Sequence, residues 1–532
     1  MNSSKAARIA VIGAGMAGLT AVQRLVAGGA HVTLIEKAHG PGGRASTLER
    51  DSFYLNQGPH ALYKGGAAYE ILTNLNIIPA GAPPAPKRSL AILNGEILDL
   101  PVDASSIIST KLLSIVEKVE WGMLMGNLAK VDLSKLQNVS VAAWLDSTVK
   151  SERVKAVFKT MVRLGTYSNS PEKISAAAAI QQLIIALRDG VIYLDHGWQS
   201  LVESMVQSIE KTLILRADSS FSQIYGAEVT AIAAVSSAAV SSAAVTSAAV
   251  SRAALGNIDG REEGVEITIN GSKQYFDAAI LALPPKQVSK LLKYGTGQNG
   301  AAQNTAKTIG AKANGAGPNG AGPNGAGPNA ALQAKLDAIL PSHAACLDVC
   351  LKKLPISDHT FALGIDQPLY YSVHSTTAKV AEGNQALVHL AVYLPEGEKG
   401  TEEHEKILLR LLDQLQPGWT EELVYKRFLP NMVASFGTAL ASENGSNGFA
   451  DVALPVVSVE SVVSTESVES MARVESAISA TPAGESKPPS ERFFVCGDWV
   501  GSGHLLLDAA MSSAVSAAEA ALATVKTKSL CC

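Results

Sequence analysis

Cysteine is scarce in this chain: 532 residues hold five, Cys346, Cys350, Cys496, Cys531 and Cys532. Cysteines so few and scattered exclude a disulfide framework. Cys346 and Cys350 lie four positions apart with no second ligand pair nearby, so they read as ordinary thiols rather than a zinc site. The terminal Cys531-Cys532 pair does not form the four-residue box that directs prenylation. An excess of either charge is also missing. Lys and Arg number 44 against 48 Asp and Glu, a net charge of −4. Nucleic-acid binding favours a clustered basic excess, so no nucleic-acid partner is expected. Long apolar runs are absent as well. No stretch reaches the ~18 uninterrupted apolar residues of a spanning helix. Lys5, Arg8 and the apolar run after them imitate a signal peptide, but the same residues make a better strand and loop. We read a soluble, cytoplasmic chain and leave peripheral membrane contact open.

What is present is unevenly distributed. Hydrophobic residues make up 47% and charged ones 17%, but repetitive Ala and Val inflate the apolar share. Three tracts are biased. Residues 233–254 repeat Ala-Ala-Val-Ser-Ser; residues 295–330 carry Asn-Gly-Ala-Gly-Pro; residues 456–490 are rich in Ser, Val and Glu. Their period is far below the 20–50 residues of stacked repeats, so they read as insertions or linkers. Elsewhere the pattern alternates. RIAVI (8–12) is a buried strand, 16–28 suits a helix with Leu19, Val22, Leu25 and Val26 on one face, and HVTLIE (31–36) is a second strand. Apolar strands return at 265–270, 277–285 and 492–499, and an Ala-rich helix follows at 507–525. The expected fold is α/β, or α+β overall. A Rossmann-like nucleotide domain is built from 1–65, 195–290 and 490–525. A second domain, 66–194 with 331–455, carries a mixed sheet and helices and interleaves with the first.

The pattern G-x-G-x-x-G occurs at GAGMAG (13–18) and again from Gly315 and Gly320, with a looser copy from Gly325. Context separates them. A strand precedes Gly13, helix formers follow Gly18, and Glu36 ends the next strand 18 positions on. Glycines permit the tight turn, the helix N-terminus faces pyrophosphate, and the acidic residue takes ribose hydroxyls. The later copies follow no strand, and Pro318, Pro323 and Pro328 stand where a helix has to begin. One nucleotide site is supported, with Gly13, Gly15, Met16, Ala17, Gly18, Glu36 and Lys37 as its residues.

After Glu36 come Gly42-Gly43-Arg44 and Gly58-Pro59-His60. Here the chain resembles the superfamily of phytoene desaturases, protoporphyrinogen oxidases and flavin amine oxidases. The resemblance extends to AEVTAI (227–232), like the family strand whose backbone meets adenine, with Val229 at the matching place, and to VCGDWVGSGHLLLDAAMSSA (495–514). It implies FAD as cofactor. Gly43 and Arg44 would face the pyrophosphate, Gly58, Pro59 and His60 the flavin ring, and Gly497 and Asp498 the ribityl and phosphate oxygens. The helix starting near Leu507 and Asp508 would aim its N–H groups at the ring. The usual Gly-Gly pair of the second cofactor segment is His196-Gly197 here, a partial match, and Trp198 beside it reads as packing.

The resemblance implies oxidation of a C–C or C–N single bond by hydride transfer to flavin N5, with oxygen or a quinone as acceptor. No lysine aligns with the one amine oxidases keep near N5. The reading therefore leans toward desaturation of a hydrophobic molecule such as a carotenoid or isoprenoid precursor. Amine oxidation, or a non-catalytic binding protein on the same fold, are the alternatives. Catalytic residues stay unassigned. His60 is the first candidate, and His374 and His504 follow; for each, a structural role is the simpler reading. Tyr370 and Tyr371 alternate on one strand, so they cannot both face one pocket. No metal site is expected.

Overall fold

The computed structural model describes residues 6–236, 263–294, 329–454 and 492–527. Most of the three biased tracts, all three later glycine-pattern copies and Cys531-Cys532 lie outside the described residues. Only their edges fall within: Val229–Ser236 is a strand, and Asn329 precedes the helix Ala330–Asp337.

The first strand, β1 (Arg8–Ile12), leads into helix α1 (Met16–Ala27) and strand β2 (His31–Glu36). These sit in a six-stranded sheet ordered Ser220–Tyr225, β2, β1, Ala278–Leu281, Phe493–Val495, Ala453–Leu454. The first five strands run parallel and the short last one antiparallel. Strands from the beginning, middle and end of the chain thus share one sheet. Successive side chains point to opposite faces. Ile9 and Val11 meet α1, the helix Gln199–Leu215 and the C-terminal helix Leu506–Thr527; Ala10 and Ile12 meet a layer topped by the antiparallel strands Val229–Ser236, Glu263–Ile269 and Ser272–Phe276. The expected face of α1 is the buried one: Leu19, Val22, Leu25 and Val26 are all fully covered. Each such side chain gains about 1.5–3 kcal/mol on burial.

The second body is a seven-stranded mixed sheet. Its order is Leu423–Ser435, Ser342–Leu351, Ala386–Tyr393, Leu369–Val373, His359–Gly364, Arg88–Leu93, Glu96–Asp99. Helices including Ile115–Asn127, Val141–Thr148, Glu152–Thr166 and Ala176–Asp189 cover one face, and Glu402–Leu415 covers the other. Tyr370 belongs to the first face and Tyr371 to the second, as their alternation requires. The short helix Ala67–Asn74 packs on the first body, through Ala68 and Leu72.

One described helix segment, Leu506–Val525, is long and apolar enough to cross a membrane, and half of it is buried in the first core.

Candidate cofactor and active site

The loop after β1 is shaped by its glycines. Gly13 has φ +102°, and a Cβ there would lie 2.4 Å from the Ala282 carbonyl oxygen. Its N–H donates to Ile35 O at 2.8 Å. A Cβ on Gly18 would lie 1.9 Å from Gly13 O, so this glycine lets α1 close on the loop rather than touch a ligand. Gly15 differs: nothing lies within 4 Å of its Cβ direction. It caps α1, which has no side-chain cap and no acidic residue in its first turn. The orphan N–H groups of that turn and the helix dipole therefore suit an anion.

Glu36 closes the loop from β2. Its Oε2 accepts from Ala14 N at 2.7 Å and its Oε1 from Ala38 N at 2.8 Å. Gly42 N donates to Ala14 O at 2.9 Å, which brings Gly42-Gly43-Arg44 against the loop. Arg44 Nη1 donates to Asp498 Oδ2 at 2.8 Å and to Ala434 O at 3.0 Å, and its guanidinium lies over the Phe436 ring at 4.5 Å. Asp498 Oδ2 also accepts from Ser435 Oγ and Phe436 N. The other oxygen, Oδ1, is buried and has no partner.

The C-terminal helix begins beside Leu506, which has φ +55°. Asp508 in its first turn is buried and reaches away from its own helix. Its Oδ1 accepts from Ala68 N at 2.8 Å, which caps Ala67–Asn74 from outside. Burial pushes its pKa up to about 6. Gly66 lets it approach, since a Cβ there would sit 2.2 Å from Asp508 Oδ2.

These groups surround one cavity of about 420 Å³. Gly13, Gly15, Met16, Ala17, Glu36, Gly43, Arg44, Pro59, His60, Gly497, Asp498, Leu507 and Asp508 line it. Gly18, Lys37, Gly58 and Val229 are not among its lining residues. Lys37 pairs with Glu228 at the surface. Gly58 backs onto Met432, and Val229 pairs with Ile269. His60 meets Trp198 with ring centroids 5.0 Å apart, and Trp198 lines the cavity too. Burial lowers the His60 pKa to about 4, and its Nδ1 bonds to Gly58 O at 2.8 Å. His60 is therefore neutral near pH 7. His374 and His504 lie elsewhere: His374 stacks on Tyr193 at 3.8 Å, and His504 is exposed. Tyr370 and Tyr371 are not lining residues.

Sequence reasoning did not find Tyr63, Tyr167, Met432 and Phe436, which complete the wall. It also missed a buried network behind that wall. Arg427 pairs with Asp348, whose Oδ1 bonds to His389 Nδ1 at 2.6 Å. Arg427 Nη2 also donates to Asn56 O. Asn56 Oδ1 accepts from Trp198 N at 2.9 Å and Thr47 Oγ1 at 2.8 Å. The second sheet thereby anchors the segments that carry His60 and Trp198. No local pattern marks such contacts, since Arg427 and Asn56 lie 371 positions apart.

The bare helix turn, the open direction at Gly15 and the unpaired Asp498 oxygen fit a pyrophosphate-linked dinucleotide. Residues 11–75 match the family model of the NAD(P)-binding Rossmann-like domain. An L-amino-acid oxidase from Pseudechis australis is 45% identical over 62 residues, 11% of this chain and 12% of that protein. A zeta-carotene-forming phytoene desaturase from Myxococcus xanthus is 46% identical over 57 residues, 11% of each. The chain thus spans only about an eighth of the length of these relatives. Solved structures match over nearly the whole chain at low identity. An oxidoreductase from Methanosarcina mazei has TM-score 0.60 and 16% identity, covering 96% of this chain and 100% of that one. Putrescine oxidase bound to putrescine has TM-score 0.58 and 14% identity, with 97% and 99% covered. Cyclohexylamine oxidase from Brevibacterium oxydans IH-35A has TM-score 0.54 and 15% identity, with 98% and 99% covered. In its phosphate-loop region the chain is thus similar to a phytoene desaturase and an L-amino-acid oxidase, and its fold is the one found in putrescine oxidase and cyclohexylamine oxidase.

Proposed function

We propose that the protein binds FAD and dehydrogenates a neutral, hydrophobic small molecule, with oxygen or a quinone as the final acceptor. The observation that carries this reading is the convergence of Gly15, Glu36, Arg44, Asp498 and the start of the C-terminal helix on one cavity. Glu36 would hold ribose hydroxyls through lone pairs its two backbone donors leave open. The first-turn amides of α1 would hold the pyrophosphate. Asp498 Oδ1 would accept from a ribityl hydroxyl. A bound flavin supplies a two-electron acceptor at its ring.

The chain's own residues define what reaches that ring. Pro59, His60, Leu62, Tyr63, Tyr167 and Trp198 form a largely apolar and aromatic wall. Such a wall excludes water from the hydride step. No lysine lines the cavity among the described residues. Its carboxylates are Glu36, Asp498 and Asp508, and each already holds a backbone N–H. In this reading the open lone pairs of Glu36 and Asp498 go to the cofactor and Asp508 caps Ala67–Asn74, so none of the three is assigned to a substrate ammonium. That favours a desaturase-like reaction over amine oxidation. Amine oxidation is the second reading, supported by the fold shared with putrescine oxidase and cyclohexylamine oxidase.

The test is anaerobic reduction of the reconstituted protein, followed by flavin absorbance. Carotenoid precursors, other isoprenoids, porphyrinogens and amines are offered in turn. Bleaching by a polyene or isoprenoid and by no amine is the expected result. Bleaching by amines alone would move the assignment to the amine oxidases. A protein that stays colourless with added FAD would be a binding protein on this fold.

A further inference from the structure

The side-chain nitrogens and oxygens of the cavity's aromatic wall belong to His60, Tyr63, Tyr167 and Trp198. Most of their protons are already committed. Tyr63 Oη donates to Gly165 O at 3.2 Å, and Tyr167 Oη donates to Pro59 O at 2.8 Å. A carbonyl oxygen only accepts, so both hydroxyl hydrogens are spent on the protein. Trp198 Nε1 has no partner for its hydrogen, but it is sealed within the wall.

His60 completes the pattern. Its Nδ1 lies 2.8 Å from Gly58 O, and by the same rule that nitrogen carries a proton. The ring is neutral near pH 7, so it holds one proton only and Nε2 is bare. Nε2 makes no hydrogen bond within the protein, and unlike Trp198 Nε1 it is not sealed. The ring is also held in place. It is tied at Nδ1 and lies against Trp198, whose own N–H donates to Asn56 Oδ1 at 2.9 Å. Arg44 is close enough to oppose positive charge at the ring. The wall therefore offers a guest one lone pair on a positioned, uncharged nitrogen, with no free hydroxyl hydrogen beside it.

We propose that His60 Nε2 selects the substrate by accepting a hydrogen bond from a neutral O–H or N–H group on an otherwise apolar molecule. The inference rests on the flavin reading only in taking this wall as the substrate side of the cavity. It narrows the hydrophobic substrate to one that carries a hydroxyl, a pyrrole-like N–H or an amide N–H. A ketone, an ether or a carboxylate would set lone pair against lone pair. An ammonium would bring a donor, but also a charge that Arg44 opposes and that no group on this wall compensates. A pure hydrocarbon would take Nε2 out of water and leave it unpaired, which a site built around a hydrogen bond penalises. Hydroxylated isoprenoids are thereby favoured over unsubstituted ones.

The probes are two matched sets: indole with N-methylindole, and cyclohexanol with cyclohexanone and methoxycyclohexane. Each is titrated into the full chain reconstituted with FAD, and the change in flavin absorbance gives its Kd. Indole and cyclohexanol are expected to bind about 10-fold more tightly than the other members of their sets, the worth of one buried neutral hydrogen bond and of not leaving its acceptor unpaired. His60→Phe keeps an aromatic ring against Trp198 and should level both sets. Equal melting temperature and FAD affinity of variant and wild type would show that the fold and the cofactor site are intact. The proposal is overturned if the wild type binds all members of a set equally, if it binds none, or if the preference survives in His60→Phe. A chain that takes up no FAD fails the flavin reading instead, and nitrogen NMR of the histidine-labelled chain at pH 7 then decides the proposal. The His60 signals, identified by their loss in His60→Gln, should show a protonated Nδ1 and a bare Nε2. Indole should move the Nε2 signal toward the protonated range, and N-methylindole should not. A proton found on Nε2, or an Nε2 signal that indole leaves unmoved, overturns the proposal with or without flavin.

Discussion

Replacing Gly15 by Val should remove flavin and leave the fold standing. Gly15 has φ −74° and ψ 179°, extended backbone that any residue adopts. A Cβ there meets no atom within 4 Å. Val is a poorer helix cap than Gly, which costs up to about 1 kcal/mol. The added methyls occupy the space through which a pyrophosphate approaches the α1 amides. A charge-assisted bond is worth about 1.5–3 kcal/mol. Losing two or three of them removes at least about 3 kcal/mol, or roughly 10²-fold in affinity. Gly18→Ala should instead destabilise the fold itself, because its Cβ would sit 1.9 Å from Gly13 O and force the loop and helix apart. The assay is FAD titration of apoprotein by fluorescence quenching, beside urea melts of the same apoproteins. Gly15→Val binding FAD within tenfold of wild type would refute the assignment of this loop.

Four other outcomes are expected. Asp508 has its pKa raised by burial to about 6, so the stability tied to its protonated form is complete near pH 4 and is lost as pH rises through 6. Asp508→Asn should match wild type in urea melts near pH 4 and exceed it by about 2–3 kcal/mol at pH 8; equal melts at both pH values would refute this. His60, held neutral by burial, should give no kinetic limb near pH 6.5, so His60→Gln should leave the shape of the kcat profile unchanged. A limb there that the variant removes would make His60 an acid–base group. Arg427→Met leaves Asp348 buried beside His389 without its guanidinium and should cost about 3–5 kcal/mol in a urea melt. Adding Asp348→Asn should recover part of that loss, and strict additivity would mean the two groups do not interact. Deleting residues 314–328 should leave FAD binding intact; loss of flavin on deletion would mean that the wrong glycines were assigned.

The nucleotide fold was legible because its signals are local and dense. β1, α1 and β2 follow one another within 29 residues, each with its own hydrophobic period, and the strand face and helix face agree. The cavity was half legible. Gly15, Glu36, Asp498 and Asp508 carry motif context, and all four line it. Lys37 and Val229 carry the same context and are not among its lining residues. Gly18 shows the difference within one motif: its letter is required by helix packing against Gly13. Tyr63, Tyr167, Met432 and Phe436 carried no signal. They reach the cavity from strands and helices whose pairing is long-range, and an aromatic on such an element looks like core. The Arg427–Asp348–His389 row was hidden for the same reason. Its members come from three strands that are neighbours only in the folded sheet.

Arg44 illustrates what the structure adds to a residue that a motif points to. Taken alone, a Gly-Gly-Arg beside a phosphate loop gives the guanidinium to the pyrophosphate. Here Nη1 is committed to Asp498 and Ala434 O, and the guanidinium is stacked on Phe436. Asp498 is almost fully buried, so without Arg44 its carboxylate would lack a compensating charge. The pair therefore fixes where the Gly497-Asp498 turn stands relative to the loop at Gly15. The first turn of α1 is bare of acids and caps, so its N-terminus adds positive potential on the same side of the cavity. Arg44 thus holds Asp498 in place, with one oxygen saturated and the other unpaired.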